Sequence, residues 1–188
     1  MMNRQAVLTD YSALHITVPT PLMAWMRSNH AGETGAVWIY MAASLAFWSV
    51  SIRKMATEHI RTEQQHLLVM THLVPADQQS KLLFIWKIMG FTLGLFAALF
   101  GYTFFCLTIS AVENFVEQHY NEQIDHLIKT QQSPSLLTLI QRCCEEETQH
   151  KSDAESHFKL SSDSVWIRAW LKLVKAGSSA AVEAAKRI

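Results

Sequence analysis

The sequence predicts an all-α protein, an antiparallel four-helix bundle with additional helices forming one domain over residues 1–188. Six Gly and four Pro in 188 residues leave few breakers, while Leu, Ala, Met, Glu and Gln, all good helix formers, are abundant. Two Glu-x-x-His pairs, Glu63-Gln-Gln-His66 and Glu147-Thr-Gln-His150, recur in the two halves. Residues three apart lie on one face of a helix, so each pair can reach a common ion. A single glutamate precedes each pair, Glu33 by 30 residues and Glu113 by 34, the span of a helical hairpin. The halves read as a diverged repeat about a two-fold axis, with four inward-facing glutamates and two histidines.

Thr20-Pro21 opens the first helix, because proline is tolerated in a first turn. Trp25, Met26, Val37, Tyr40, Ala43 and Phe47 carry it, with Glu33 at mid-helix, to a bend at residues 49–51. A second helix over residues 53–73 bears Glu63 and His66 and stops at Val74, since Pro75 pushes its predecessor out of the α region. Residues 88–112 then run without a charge, long enough to cross a bilayer. Such a span would end at Glu113 and leave Glu33, Glu63 and His66 across the membrane from Glu147 and His150.

The spacing therefore predicts a break at Gly90, Gly94 and Gly101, with a short apolar helix over residues 82–99 and a new helix from Tyr102. The segment over residues 82–105 becomes a membrane contact, its rim lying in one leaflet with Trp86 at headgroup depth and Lys87 snorkelling. A buried core hairpin with no membrane role is the competing reading. The fourth helix carries Glu113 to about Thr130, and Ser133-Pro134-Ser135 restarts the chain. A fifth helix over residues 134–158 bears Glu147 and His150. The last, over residues 163–186, alternates Trp166, Trp170, Leu173 and Val174 with basic residues and closes one side of the bundle.

Sixteen basic and sixteen acidic residues balance, which leaves no basic surface for nucleic acid. Cys106, Cys143 and Cys144 have no Cys-x-x-Cys spacing and read as reduced thiols of a cytosolic compartment. Residues 1–20, with one Arg and no apolar core, resemble neither a secretory signal nor a transit peptide.

Four carboxylates and two imidazoles suit iron or manganese, and iron best; structural zinc would take thiolates and only four ligands. Such a reduced di-iron site with open positions can use O2 to hydroxylate an organic substrate, and an apolar entrance beside it implies a lipid-like one. The bland alternative is a set of solvated glutamates with incidental histidine neighbours.

Asn29-His30-Ala31-Gly32-Glu33-Thr34-Gly35-Ala36 resembles the opening motif of the demethoxyubiquinone hydroxylases, and Ala111-Val112-Glu113 followed by His119-Tyr120-Asn121 resembles their second-half motif. The likeness runs from about Trp25 to the C-terminus. It implies a ferritin-like fold and two iron ions (Fe2+/Fe3+) held by Glu33, Glu63, His66, Glu113, Glu147 and His150, with Glu63 and Glu147 as bridges. It further implies O2 as co-substrate and hydroxylation of a 2-polyprenyl-3-methyl-6-methoxy-1,4-benzoquinol at ring position 5. His119 and Tyr120 match a position beside the substrate. The expected place is peripheral, on the cytoplasmic face of the cell inner membrane, with partners in a ubiquinone-biosynthesis complex; the electron donor is not named by the residues.

Trp38 stands where that family has Arg, and Ala42-Ala43 where it has Gly-Gln, which puts the pocket and the reductant surface at issue. A hydroxylase of a different quinol and a ferritin-like iron-oxidising protein remain competing readings. Glu117, one turn after Glu113, is a further candidate for the metal face, while Glu145 and Glu146 are expected in solvent. His30 is either an outer support for Glu33 or structural. His59, His72, His126 and His157 default to surface or core, and Met55 and Met70 to filling core gaps.

Overall fold

The computed structural model describes residues 16–158 and 164–188. Residues 1–15, and the expected start of the last helix at Asp163, lie outside the described residues. Among the described residues the fold is all-helical. A 3-10 turn at Thr20–Leu22, closed by Leu22 N–H donating to Pro19 O at 2.8 Å, precedes helix α1, Met23–Ser44. Helix α2 is Val50–Leu73, α3 Leu83–Leu99, α4 Tyr102–Thr130, α5 Pro134–Glu155 and α6 Val165–Arg187.

The boundaries follow local chemistry. Ser49 is extended and its hydroxyl accepts from Ile52 N–H, so the expected bend is an N-cap and α2 starts three residues earlier than its apolar pattern shows. Val74 is forced extended before Pro75, as expected. Gly90 and Gly94 do not break the chain. They lie inside α3, where a Cβ at Gly90 would meet the carbonyl of Gly35 and one at Gly94 that of Ile39. Four-residue spacing puts both on one face, which lets α3 lie almost backbone to backbone on α1. The break falls at Gly101 alone, whose φ of 95° is open to glycine without strain.

Helices α1 and α2 form one antiparallel hairpin and α4 and α5 the other; α3 packs outside α1, and α6 lies across α1 and α4. One apolar cluster gathers Tyr40, Ile52, Met55, Phe105 and Ile109, and a second gathers Leu22, Met26, Met70, Leu127 and Leu136. Each such buried side chain contributes about 1.5–3 kcal/mol. On α1, α2 and α5 the ligand-type residues lie between the stretches that feed the two clusters, so a polar layer is clamped between two greasy ones.

No described helix is long and apolar enough to cross a membrane. Helix α3, at 17 residues, is about 25 Å long, short of a hydrocarbon core of about 30 Å. Phe84, Ile85, Ile88, Met89 and Leu99 on α3, Phe100 after it, and Phe47 and Trp48 in the α1–α2 turn are exposed. Trp86 departs from expectation: its ring turns inward against Gly35, while Lys87 reaches towards the face of Trp38. All three cysteines are buried and free.

Candidate metal centre

Helical spacing brings all six predicted residues to one buried point. Glu33 comes from α1, Glu63 and His66 from α2, Glu113 from α4, and Glu147 and His150 from α5; none is more than 5% exposed. Their donor atoms form two groups, Glu33, Glu63, His66 and Glu147 in one and Glu63, Glu113, Glu147 and His150 in the other, each within 4.8 Å. Glu63 and Glu147 belong to both, the arrangement that bridging carboxylates require. His66 Nδ1 stands 2.8 Å from Glu147 Oε1, and His150 Nδ1 stands 2.9 Å from Glu63 Oε1 and 3.4 Å from Glu147 Oε2.

Four acids in a dry interior are electrostatically frustrated. Burial and the charge of Glu147 push Glu63 up to about 8, and burial with the charges of Glu147 and Glu63 pushes Glu113 well above its ordinary range. Burial works the same way on Glu147, but contacts with His150 and His66 hold it well below the usual carboxylate range. Burial disfavours the His150 cation, yet Glu147 and Glu63 raise it to about 11; His66 is raised despite burial by Cys143, Glu146 and Glu147.

Glu63 Oε2 is buried without a partner among the described residues, and Glu63 Oε1, Glu147 Oε2 and His150 Nδ1 lie close together without the alignment of a hydrogen bond. Buried polar atoms rarely stay unpaired. A pair of divalent cations would satisfy these atoms, and their four positive charges would balance four carboxylates, so the donor set fits two hard ions of the iron or manganese kind.

Each unshared glutamate is held from the opposite hairpin. Tyr120 on α4 donates to Glu33 Oε1 at 2.5 Å, and Tyr40 on α1 donates to Glu113 Oε1 at 2.7 Å. Tyr40 is a site residue that the sequence reading missed, although it follows Glu33 by seven residues as Tyr120 follows Glu113. Glu146, expected in solvent, lies 2.7 Å from His66 Nε2 and so turns the Nδ1 face of that ring inward; Glu145 is exposed as expected. Glu117 leaves the metal face to pair with Lys151 Nζ at 2.7 Å, because its turn of α4 faces α5 beyond the centre. His30 bonds Thr71 Oγ1 at 3.2 Å and not Glu33. His59, set aside as core or surface, stacks on the His150 ring at 4.1 Å and meets the Tyr40 hydroxyl at 3.2 Å.

A cavity of about 550 Å³ between α1, α3, α4 and α6 has Glu33, Glu63, Glu113 and Glu147 in its wall. The rest is mostly apolar, with Ile39, Leu93, Phe96, Val112, Phe115 and Trp170 prominent. None of the departures at Trp38, Ala42 and Ala43 lines it: Trp38 meets Phe91 edge to face on the outer side of α1, and both alanines are fully buried. Asn29 and Gln123 bond each other in both directions, so the Asn29 amide is already engaged. His119 does line the cavity, with Nε2 3.0 Å from Ser28 Oγ. Ser28 donates its only hydrogen to Trp25 O at 2.7 Å, so His119 Nε2–H must be the donor in that second link. Burial, with the charge of Lys186, pushes His119 down to about 4, so the ring is neutral and its other nitrogen, Nδ1, is an acceptor with no hydrogen-bond partner among the described residues.

A helical bundle that crosses two hairpins over a doubled carboxylate–imidazole cluster is a ferritin-like protein with a two-metal centre's donor set. The family model described as "Ubiquinone biosynthesis protein COQ7" matches residues 21–185, and the chain belongs to that family. It is 29% identical over 167 residues to the NADPH-dependent 3-demethoxyubiquinone 3-hydroxylase of Rattus norvegicus, covering 86% of this chain and 76% of the relative. To the protein of that name in Caenorhabditis elegans it is 25% identical, covering 87% and 88%. To the 3-demethoxyubiquinol 3-hydroxylase of Rhodospirillum rubrum it is 30% identical over 107 residues, covering 55% and 50%.

Proposed function

We propose that the chain is a di-iron monooxygenase that hydroxylates a 2-polyprenyl-3-methyl-6-methoxy-1,4-benzoquinol at ring position 5 in ubiquinone biosynthesis, using O2. The observation that carries this reading is the apolar cavity walled by the four glutamates of the two overlapping groups. An iron-oxidising ferritin-like protein has no use for such a cavity, whereas a hydroxylase must bring a greasy ring against its metals. The names of the relatives supply the reaction class.

Iron, when bound, would supply activation of O2 and transfer of one oxygen atom to the ring, with two electrons from an external reductant and two protons carrying the other oxygen to water. Glu33 and His66 would hold one ion, Glu113 and His150 the other, and Glu63 and Glu147 both. The protein's part is placement. The apolar wall accepts the prenylated ring and excludes water, and neutral His119, its Nε2 tied to Ser28, offers Nδ1 to a substrate hydroxyl. That acceptor suits a quinol, which has O–H groups to donate, over a quinone, which has none. Tyr120, which lines the same cavity, donates to Glu33 and so fixes that ligand. The exposed apolar residues of α3 would rest peripherally in one leaflet, on the cytoplasmic face of the inner membrane, and feed the tail into the cavity.

Complementation of a strain lacking the hydroxylase, with quinone intermediates followed by mass spectrometry, tests the assignment. The wild-type chain is expected to restore the hydroxylated product. Glu113→Ala and Glu147→Ala are expected to lose iron and product together; product formed by an iron-free variant would defeat the di-iron reading.

A further inference from the structure

His59 is a buried imidazole to which the proposed reaction gives no task. It is 5% exposed, its ring is stacked within 10° of parallel on His150 at 4.1 Å, and its Nδ1 is 3.2 Å from the Tyr40 hydroxyl. Tyr40 has one hydrogen and gives it to Glu113 Oε1. The hydrogen of the His59–Tyr40 link therefore comes from His59 Nδ1, which leaves the Tyr40 hydrogen to Glu113. Its outer nitrogen, Nε2, lies 3.5 Å from the half-exposed Asp153. His59 thus touches His150 directly and Glu113 through one hydroxyl, and these are the two donors that belong to the second group and not to the first.

We infer that His59 is a positioning residue for the metal position bounded by Glu113 and His150, and that it makes the two metal positions unequal. The repeat supplies the contrast. His59 precedes Glu63 by four residues, and the residue four before Glu147 is Cys143. Cys143 is buried in the other hairpin and has no ring to stack on His66. His66 is instead supported by the carboxylate of Glu146 on its second nitrogen, which raises the basicity of a ligating imidazole. One position is thus braced by a carboxylate, the other by a stacked imidazole and a tyrosine. The inference rests on the two-metal reading given above.

The test is an anaerobic Mn(II) titration of the metal-free full chain, read by equilibrium dialysis and by the electron paramagnetic resonance signal of a coupled ion pair. Wild type is expected to take up two ions of different affinity. His59→Leu, which removes both contacts, is expected to weaken the second ion by about 10–100-fold, leave the first within about twofold, and give an uncoupled one-ion spectrum where wild type gives the pair. His59→Phe keeps the stack, loses the Tyr40 link, and should fall between them. In a Glu113→Gln background, which already lacks that position, His59→Leu should change nothing further, and circular dichroism of each metal-free variant checks that the helices persist. Equal weakening of both ions, or of neither, overturns the inference while leaving the two-metal reading intact. A wild-type chain that takes up no ion overturns both.

Discussion

A tyrosine from the opposite hairpin grips each unshared glutamate of the centre. Removing one hydroxyl leaves a buried carboxylate oxygen without its donor, at a cost of about 1–3 kcal/mol. Tyr120→Phe should accordingly bind metal several-fold more weakly than wild type in dialysis while keeping the fold, and a variant with undiminished affinity would show that the Glu33 contact carries no weight. Titration gives a second prediction. Glu63 at about 8, Glu113 well above its ordinary range, His150 at about 11 and raised His66 all hold protons near neutrality in the metal-free chain. A folded-state value raised above the unfolded one lends stability that is complete below the unfolded value and lost as pH climbs through the folded one. Among the shifted donors Glu147 alone runs the other way, and His59 and His119, lowered to about 4 by burial, add stability as pH rises towards the ordinary histidine value of about 6.5. The metal-free protein should thus lose thermal stability as pH rises from about 6.5 to 8, whereas metal binding, which expels these protons, should tighten over that window. Proton release on Mn(II) addition, read with an indicator dye, checks both signs. Glu63, His66, Glu147 and His150 were legible in the sequence because i, i+3 pairing is local, and Glu33 and Glu113 because each precedes its pair by the span of one hairpin. His59 and Tyr40 were not, because their partners sit on other helices and only the repeated seven-residue offset betrays one of them.

Helix α3 shows how an element can be found and its logic misread. Charge-free length located it, and the ligand positions on both flanks ruled out a crossing, yet glycine in a helix signals either a break or a close approach. Gly90 and Gly94 are of the second kind, and their four-residue spacing, which marks one helical face, was the available clue. Gly94→Ala would drive a methyl group into the carbonyl of Ile39 and should destabilise the fold by about 1–3 kcal/mol in denaturant unfolding. Gly177→Ala, with open space around it in α6, should be neutral or slightly stabilising in the same assay. Equal behaviour of the two would refute the packing role.

The bundle, its hairpin repeat and the convergence of its acids follow from helical period and chain spacing, which act over one or two turns and one loop. The cavity does not, since its walls come from four helices and depend on how α3 and α6 lie across α1 and α4. The exposed apolar face of α3 gives the prediction that belongs to the entire molecule. Phe84→Glu with Ile88→Glu should reduce flotation with anionic liposomes while leaving metal content unchanged; unchanged flotation would remove α3 as the membrane contact.

The crossed tyrosines bear on how such a protein can come apart. A hairpin of α1 and α2 by itself would own Tyr40 but not the Glu113 that Tyr40 serves, and would own Glu33 but not the Tyr120 that serves it. Half the chain, expressed alone, would therefore find partners for its buried hydroxyl and carboxyl by pairing about a two-fold axis with a second copy of itself, each Tyr40 reaching across to the other copy's Glu33.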